Sequence, residues 1–351
     1  MTRTLTTQPA RLERAKWCHA TRRVQQADVA ALDVAPDDLR SGDLLLVEVT
    51  RISQHRRIQL RDGRYSRLFC GDRIVLAAGD RFATDQFIGT VGLRDDRSLS
   101  LLAGGGVAGV EQSRHGAIKP ATRLTLCGRL VGRDGAALNL DAYALSQCGK
   151  GRPQTVITVL GTGMNAGKTD AVAGLVNGLT RLGLKVGAIK ATGTAAFCDT
   201  HLYAAAGATE VLDFTDAGMA ATFRQPVPRI EAALERLLAG TLRSGCDVAV
   251  VEFADGISQV ETAELLARPT LGRVSDALML AATDALSAEA ALARLAKTGH
   301  VPVALTGLMT RSPATMPTDA SGLPVLDRDA LADPATASAV LQLCRPVQAA
   351  E

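Results

Sequence analysis

One run of residues limits the fold of this chain more than any other. Residues 156–160 are apolar, residues 161–167 are rich in glycine, and Lys168 and Thr169 begin an amphipathic stretch that lasts to about residue 182. A buried strand, a glycine-rich turn and a helix N-terminus in this order are typical of a phosphate-binding loop. Backbone N–H groups and the positive end of the helix dipole hold phosphate oxygens in such a loop. The run therefore predicts a nucleotide site within an α/β domain.

The end of the predicted loop carries the residues with the clearest expected roles. Lys168 would reach the terminal phosphates of the nucleotide, and the Thr169 hydroxyl would ligate Mg²⁺. The spacing differs from the standard pattern, because Thr162 stands where glycine is usual and a glycine lies on either side of it. The residues predicted to bind the nucleotide are Gly161, Thr162, Gly163, Met164, Asn165, Ala166, Gly167, Lys168, Thr169 and Asp170.

The composition narrows the class of protein. The 351 residues are 47% hydrophobic, 21% charged and 3% aromatic, which fits a globular protein with cores of alanine, valine and leucine. The sequence shows no apolar run as long as a membrane span and no secretory signal at its start. A formal net charge of +3 gives no argument for a nucleic-acid or membrane partner. The seven cysteines follow no disulfide or metal-site spacing, so we expect reduced thiols and a cytoplasmic protein.

The first 148 residues predict a β-rich domain. Residues 1 to about 40 have a charged, mostly helical pattern. Residues 57–60 and 65–69 flank Asp62-Gly63, a pair that favours the tight turn of a hairpin. Many short strands separated by turn residues indicate a small barrel or sandwich. Further strands are predicted at 43–49, 73–77, 86–91, 123–126 and 137–140.

The rhythm of the sequence changes after a linker that contains glycine and proline, at 146–154. Strand and helix patterns alternate from there to the end, which predicts a second domain, 154–351, with a mostly parallel sheet covered on both faces. Ligands of such sheets bind at the carboxyl ends of the strands, so further site residues are expected there. The predicted strands are 155–160, 185–190, 247–252, 277–281 and 301–306, and the predicted helices are about 168–182, 228–240, 259–267 and 284–298.

Two of these predicted strands end in charged residues. Lys190 ends the second strand, where its ammonium could neutralise charge on a transferring phosphoryl group or, alternatively, close an exposed strand. Glu252 ends the third strand, where its carboxylate could complement Thr169 as a ligand of Mg²⁺ or merely cap the following turn. We predict Lys168, Lys190 and Glu252 as the catalytic residues.

Acidic residues near these strand ends give further candidates. Asp255 follows Glu252 closely and is a second candidate for the metal. Residues 192–216, between the second strand and the helix predicted at 228–240, are predicted to be a loop, and binding residues concentrate on loops. Asp213 of this loop completes the predicted metal set of Thr169, Glu252 and Asp213. The same loop contains Asp199, Thr200, His201 and Asp216, each of which alone, like Asp213, is more simply explained as structural or solvated. Cys198 also lies in this loop and differs from the other cysteines in being near the expected site.

Three segments together resemble a known family. Residues 161–169 resemble the phosphate loop of dethiobiotin synthetase, which has the same five-residue gap between its glycines. Lys190-Ala191-Thr192-Gly193 resembles the Lys-Pro-Val-x-Ser/Thr-Gly segment of that family, and residues 251–256 resemble its Val-Glu-Gly-Ala-Gly-Gly segment. The resemblance implies that Lys168 and Lys190 bind phosphates, that Thr169 and Glu252 hold Mg²⁺, and that the protein is a homodimer.

The chain departs from that family at several positions. Gly163 and Met164 replace its acidic and hydroxyl residues after Gly-Thr, Ala191 replaces its proline, and Asp255 replaces a glycine. The signature lysine of the related partition ATPases would fall at Gly163 and is absent. The loop and the segment 191–193 also resemble the D-glutamate N-acetyltransferase-like family, whose members carry an additional N-terminal domain. Residues 1–150 match neither family.

These patterns lead to one expected function and two alternatives. We expect an enzyme that uses ATP and Mg²⁺ to phosphorylate a small carboxylate or carbamate, which an amine then captures in an amide-type bond. An N-acyltransferase that uses acyl-CoA and a nucleotide-binding accessory or chaperone protein are the alternatives. ATP is favoured over GTP because the chain has no Asn-Lys-x-Asp guanine motif, and the base could lie near residues 306–308. The expected partners are a small-molecule substrate and a second copy of the chain.

Overall fold

The chain folds into two compact units, which a computed structural model describes over residues 5–6, 10–146, 151–316 and 322–344. Unit 1 comprises Met1–Leu145, Thr194–Phe197 and Phe214–Arg224, and unit 2 comprises Ser146–Gly193, Cys198–Asp213 and Gln225–Glu351. The sequence predicts two continuous domains, whereas unit 1 also takes in two short segments from the later half of the chain. Cys148 and part of the predicted linker lie outside the described residues. Within the described ranges no helix has the length and apolar character needed to cross a membrane.

Unit 1 is built mainly of short strands. Its described strands are β1 (Leu5–Thr6), β2 (Lys16–Trp17), β3 (Ala31–Asp33), β4 (Leu44–Arg51), β5 (Arg57–Gln59), β6 (Tyr65–Arg67), β7 (Arg73–Ala78), β8 (Arg81–Phe82), β9 (Phe87–Thr90), β10 (Ser98–Ala103), β11 (Val107–Arg114) and β12 (Thr122–Val131). A single turn of α-helix, α1, spans Ala10–Glu13, and 3₁₀ turns span His19–Thr21, Gln26–Asp28 and Leu140–Tyr143.

Five of these strands pair in a ring. β12 pairs with β4, β4 with β7, β7 with β11, β11 with β10, and β10 pairs again with β12. Every pair is antiparallel except β7 with β11. Leu44 and Leu46 of β4 belong to one hydrophobic core, and Leu45 and Val47 belong to another. Because alternate residues of a strand point to opposite faces, β4 is buried on both faces, which explains its continuous apolar run.

The helical pattern predicted before residue 40 is wrong for the described residues. Trp17, Ala20 and Val24 are spaced as on one face of a helix, but β2 and short 3₁₀ turns bring them to the core instead. The Ala20 N–H donates to the Gly105 carbonyl at 2.9 Å, which ties this segment to a distant part of unit 1. Backbone bonds to partners far away in the sequence have overridden the local period.

Most of the predicted strands of unit 1 are confirmed. The hairpin around Asp62-Gly63 is formed by β5 and β6, and the predictions at 43–49, 73–77, 86–91 and 123–126 correspond to β4, β7, β9 and β12. The strand predicted at 137–140 is wrong. A single bridge joins Ala137 to Val131, and the Asn139 side chain then accepts a hydrogen bond from the Asp141 N–H to begin a 3₁₀ turn. Side-chain capping by asparagine competes with strand pairing at this place.

Unit 2 alternates strands with helices. Its strands are β13 (Thr155–Gly161), β14 (Val186–Lys190), β15 (Glu210–Asp213), β16 (Val248–Glu252), β17 (Ala277–Ala281) and β18 (Ala304–Thr306). Its helices are α2 (Lys168–Arg181), α3 (Cys198–Ala205), α4 (Val227–Arg243), α5 (Val260–Leu266), α6 (Pro269–Val274), α7 (Ala285–Ala296), α8 (Arg328–Ala332) and α9 (Pro334–Gln342).

The six strands of unit 2 form one sheet in which all neighbours are parallel. The order is β15-β14-β16-β13-β17-β18, so β13, which leads into the glycine-rich turn, lies between β16 and β17. The predicted α/β class is confirmed, and the five predicted strands and four predicted helices of this unit are all present. Helix α2 packs on one face of the sheet, where its residues share a core with Ile157 and Val159, while Val156 and Leu160 are buried on the other face.

The segment between β14 and β16 differs from the prediction of a loop. It contains α3 and β15, which is only four residues long and pairs with β14 at the edge of the sheet. The first turn of α3 is polar, so the sequence shows no amphipathic pattern there. Tyr203 is the buried residue of this helix. Asp199 therefore lies on a helix, and Asp213 lies at the end of a strand.

Arg129 of β12 is a buried charge that two carboxylates compensate. Its Nη2 lies 2.9 Å from Asp33 Oδ2, and its Nη1 lies 3.4 Å from Asp43 Oδ2. The same Nη1 donates to the Asp38 carbonyl at 3.0 Å. Arg129, Asp33 and Asp43 are all buried. Removing one member of such a group leaves an uncompensated charge away from water.

Arg129→Met is therefore expected to lower the free energy of unfolding by about 3–5 kcal/mol, because two buried carboxylates would lose their cation. Arg123→Met is the matched control. Arg123 lies on the same strand, but its side chain and that of its partner Asp96 are 50% and 54% exposed. Exposed pairs contribute about 0–1 kcal/mol. Urea unfolding of the two variants measures the difference, and equal losses would contradict the role assigned to Arg129.

Candidate functional site

Three neighbouring strands of unit 2 end in residues predicted to form the site. β13 ends at Gly161, β14 at Lys190 and β16 at Glu252. In the strand register Glu252 is paired with Lys190 on one side and with Val159 on the other. The Ala191 N–H also donates to the Glu252 carbonyl at 2.8 Å. The parallel order thus brings the glycine-rich turn, Lys190 and Glu252 to one edge of the sheet.

The turn after β13 is wrapped around the side chain of Lys168. Lys168 is the first residue of α2 and is only 1% exposed. Its Nζ donates to the carbonyl oxygens of Gly163 at 2.6 Å and Met164 at 3.1 Å. Gly167 precedes it with a φ of 92°, a conformation that favours glycine. A Cβ at Gly161 would lie 2.7 Å from Lys168 Cδ, so the turn leaves no room for a larger residue there.

Two glycines outside the predicted loop bring other segments against this turn. A Cβ at Gly256, after β16, would lie 2.7 Å from the Thr162 carbonyl oxygen. A Cβ at Gly307, after β18, would lie 2.2 Å from the Ala166 carbonyl oxygen, to which the Leu308 N–H donates at 2.9 Å. Gly256 has no role in the sequence-based prediction. The signal that could have found both positions is a glycine that closely follows a buried strand.

Glu252 accepts hydrogen bonds from two hydroxyl groups. Thr169 Oγ1 donates to Glu252 Oε1 at 3.3 Å, and the hydroxyl of Tyr203 donates to Glu252 Oε2. Burial, followed by the charge of Glu252, raises the pKa of Tyr203 far above its ordinary value. Tyr203 therefore stays protonated and holds the Glu252 carboxylate beside Thr169. Tyr203 has no place in the sequence-based prediction, because the residues that form α3 are predicted to be a loop.

Lys190 lies between two acidic strand ends. Its partners in the register are Glu252 of β16 and Asp213 of β15, and its Nζ forms an ion pair with Asp199 of α3. Lys190 is 8% exposed and Asp213 is 1% exposed. Asp213 is two strands away from Glu252, which corresponds to about 10 Å at the usual strand spacing. Thr169 and Glu252 are brought into contact, whereas Asp213 is brought next to Lys190.

Burial and neighbouring charges shift the pKa values of two charged groups of the site. Burial lowers the pKa of Lys168 to about 8, while the charges of Glu252 and Asp255 oppose this shift and that of Lys190 adds to it. Burial raises the pKa of Asp255 to about 6, and the charges of Lys168 and Lys190 oppose this shift. An ammonium group so deeply buried is stabilised when an anion approaches it. The site is therefore prepared for a negatively charged ligand.

A cavity of about 240 Å³ opens beside the N-terminus of α2. It is lined by Gly167 and Asp170, by residues 306–308 and by Asp327, among others. Asp170 lies 3.4 Å from Arg311 at the rim of this region, and Asn165 of the turn is exposed. The segment predicted to lie near the base thus lines a cavity next to the glycine-rich turn after β13.

The remaining candidates between β14 and β16 lie in different surroundings. Thr200 and His201 are on α3, and Cys198 is exposed at the first position of that helix. Asp216 belongs to unit 1, where its Oδ2 lies 2.5 Å from Arg22 Nη2. The structure therefore assigns Asp216 to an ion pair within unit 1.

The residues at the strand ends fit a Mg²⁺ ion that is held partly by phosphate. The described residues include no group of three or more His, Cys, Asp or Glu side chains arranged to hold a metal ion. Mg²⁺ at nucleotide sites needs only one or two protein ligands, because phosphate oxygens and waters complete its shell. The Thr169 hydroxyl and the Glu252 carboxylate, 3.3 Å apart, form such a pair.

The chain is similar to solved structures of signal recognition particle proteins. The 54 kDa protein from Aeropyrum pernix, in complex with GDP, has a TM-score of 0.37 at 16% identity over 57% of this chain and 47% of its own. Chloroplast FtsY from Physcomitrella patens has a TM-score of 0.33 at 18% identity and covers 48% of this chain and 56% of its own. The cell division protein FtsY from Thermotoga maritima has a TM-score of 0.33 at 16% identity and covers 57% of this chain and 63% of its own. The chain thus spans less than two thirds of these proteins, and likeness of this extent concerns the fold alone. No protein-family model and no curated protein matches the sequence.

Gly307→Ala should destabilise unit 2 more than Gly299→Ala. Both glycines have a positive φ, 99° and 76°, so both substitutions carry backbone strain. Only the methyl group at position 307 would collide with the Ala166 carbonyl, since nothing lies within 4 Å of a Cβ at Gly299. We expect an additional loss of about 1–3 kcal/mol in the free energy of unfolding, measured with urea. Equal losses would show that the segment after β18 is not packed on the turn.

Proposed function

We propose that unit 2 binds a nucleoside triphosphate with Mg²⁺ and transfers its terminal phosphoryl group to a small acceptor. The observation that carries the proposal is the buried ammonium of Lys168, which is hydrogen-bonded to two carbonyl oxygens of the turn. The charges of Lys190 and Glu252 are close enough to affect its pKa. Phosphoryl transfer needs donors for the phosphate oxygens, cations and a metal ligand. All three kinds of group converge at this edge of the sheet.

Each part of the site has a proposed task. The backbone N–H groups of residues 162–167 and the N-terminus of α2 would bind phosphate oxygens, and Lys168 would reach the terminal phosphates. Thr169 and Glu252 would hold Mg²⁺, which, when bound, offsets the negative charge of the phosphates. Lys190 would place a second ammonium beside the group being transferred. This set works by positioning and charge neutralisation, with no covalent nucleophile.

The acceptor in this proposal is a carboxylate or carbamate, and the nucleotide is ATP. An oxygen of the acceptor forms a bond to the terminal phosphorus of ATP while the bond from that phosphorus to ADP breaks. An amine then attacks the phosphorylated carboxyl or carbamoyl carbon, phosphate leaves, and an amide-type bond forms. Support comes from Lys190, a largely buried ammonium that can attract an anionic acceptor as well as a phosphate. The resemblance of residues 190–193 to dethiobiotin synthetase points to the same chemistry. The cavity beside residues 306–308 would take the base.

The two alternative functions would use the same turn differently. An N-acyltransferase would hold the phosphates of acyl-CoA there and would need no pair of Mg²⁺ ligands. An accessory protein would bind and slowly hydrolyse a nucleotide without an acceptor. The contact of Thr169 with Glu252 favours a nucleotide with Mg²⁺ over acyl-CoA.

ATP with Mg²⁺ should raise the unfolding temperature of the full chain, and Lys168→Met should abolish this rise. A ligand that binds only the native state adds about 2.7 kcal/mol at a hundredfold excess over its dissociation constant. Lys168→Met removes a buried ammonium, so the ligand-free variant should be no less stable than the natural chain. Thermal unfolding with ATP, GTP or acetyl-CoA, with and without Mg²⁺, measures both effects. A rise with acetyl-CoA but with neither nucleotide would overturn the proposal.

Lys190→Met should lower kcat by about 100-fold or more while changing ATP affinity much less, because its ammonium is expected to act mainly on the reacting phosphate. Lys185→Met is the matched control, since Lys185 is an exposed lysine immediately before the same strand. Steady-state release of ADP measures turnover. If Lys190→Met kept full turnover while Lys168→Met was inactive, the two-lysine arrangement would have no part in the reaction.

A further inference from the structure

A cavity in unit 1 is lined by positive charge. Its volume is about 430 Å³, within the usual range for small-molecule pockets. Arg56, Arg57 and Arg81 line it together with His55, and no Asp or Glu occurs among its described lining residues. All of the lining residues belong to unit 1, whereas the nucleotide site is formed by residues of unit 2. The cavity is therefore a separate feature that the proposed function leaves unexplained.

Arg81 brings a partly buried guanidinium to this cavity. Its Nη1 donates to the Leu102 carbonyl, whereas its Nε is buried and has no hydrogen-bond partner in the described part of the chain. Burial lowers the pKa of Arg81 to about 10, and the charge of Asp85 opposes this shift. A buried donor on a cation is costly to leave without an acceptor. The buried Nε is out of reach of a ligand in the cavity, but the positive charge of Arg81 favours an anion there.

Arg57 is held at the cavity by an aromatic stack. Its guanidinium carbon lies 3.9 Å from the ring centroid of Tyr65, and that ring lies 4.9 Å from the ring of Phe197. Stacking uses the flat face of the guanidinium and leaves its N–H donors at the edge, where they can form paired bonds to carboxylate or phosphate oxygens. The stack therefore reduces the entropy that Arg57 would lose when it binds an anion.

His55 adds no further positive charge to the cavity. Burial, and then the positive charge of Arg81, lowers the pKa of His55 to about 4. The ring is therefore neutral at pH 7, and its Nδ1 donates to the Leu101 carbonyl at 3.0 Å. The lining thus combines three arginines with a neutral histidine, so positive charge predominates in the cavity and favours an anion there.

We propose that this cavity is a binding site for a small molecule, which it holds through a carboxylate or phosphate group. Arg57 and Arg81 would bond to the anionic group, and the ring of Tyr65 would pack against the rest of the molecule. Gly104, which also lines the cavity, leaves space where a side chain would narrow it. The proposal does not depend on the nucleotide site and can fail or succeed independently of it.

The test is isothermal titration calorimetry with the full chain carrying Lys168→Met. This substitution is meant to prevent phosphate binding at the glycine-rich turn of unit 2 from contributing to the measured heat. Citrate probes carboxylate binding, and inorganic phosphate probes phosphate binding. We expect at least one of them to bind, and Arg57→Gln to weaken that binding about tenfold or more, since a charge-assisted hydrogen bond is lost. Arg123→Gln is the control, because it removes one exposed positive charge from the same unit.

The outcomes separate the possibilities. Binding of citrate alone, of phosphate alone, or of both, each weakened by Arg57→Gln and not by Arg123→Gln, supports the site and identifies the group it prefers. A rise in the His55 pKa on addition of the bound anion, followed by NMR, would place the anion beside Arg81. Because Arg57 is exposed, its substitution should not disturb folding, whereas Arg81→Gln serves as a second variant if it folds. Absence of binding at millimolar concentrations, or equal weakening by Arg123→Gln, would overturn the proposal.

Discussion

The burial of the Lys168 ammonium is the interaction on which the α/β unit's site depends. A cation removed from water needs compensation, and here hydrogen bonds come from the carbonyl oxygens of Gly163 and Met164, which carry only partial negative charge. The charges of Glu252 and Asp255 act on Lys168 as well, but the net effect of its surroundings is still to lower its pKa. Phosphate oxygens would complete this compensation. The packing of the turn therefore favours the approach of an anion to Lys168.

The sheet supplies the surroundings that this lysine requires. β13 lies next to β16, and β14 lies on the other side of β16, so the ends of three strands meet without long connections. Gly256 and Gly307 allow backbone segments to come close where any side chain would collide, and Gly161 leaves space for the side chain of Lys168. Tyr203 then fixes the carboxylate of Glu252 beside Thr169. Strand order and missing Cβ atoms together determine the site.

Most of unit 2 could be predicted from the sequence because its signals are local. Strands buried on both faces are continuous apolar runs, and the glycine-rich turn, Lys190 and Glu252 all come at the ends of such runs. Tyr203 could not be found in this way, because it reaches Glu252 across 49 positions and lies in a helix with a polar first turn. In unit 1 the spacing of Trp17 and Ala20 is that of a helix, whereas backbone bonds to distant partners hold these residues in a short strand and a 3₁₀ turn. Contacts between residues that are far apart in the chain produce no periodic pattern of apolar residues in the sequence.

The buried cations Arg129, Lys168 and Arg81 differ in how their charge is compensated. Arg129 is buried with two carboxylates, so its charge is balanced within the protein. Lys168 and Arg81 instead donate to backbone carbonyl oxygens, and burial lowers the pKa of each. A full positive charge beside partial negative charges becomes more stable when an anion approaches. The same physical argument therefore supports both proposed ligand sites, the glycine-rich turn of unit 2 and the arginine-lined cavity of unit 1, although only the turn carries a motif in the sequence.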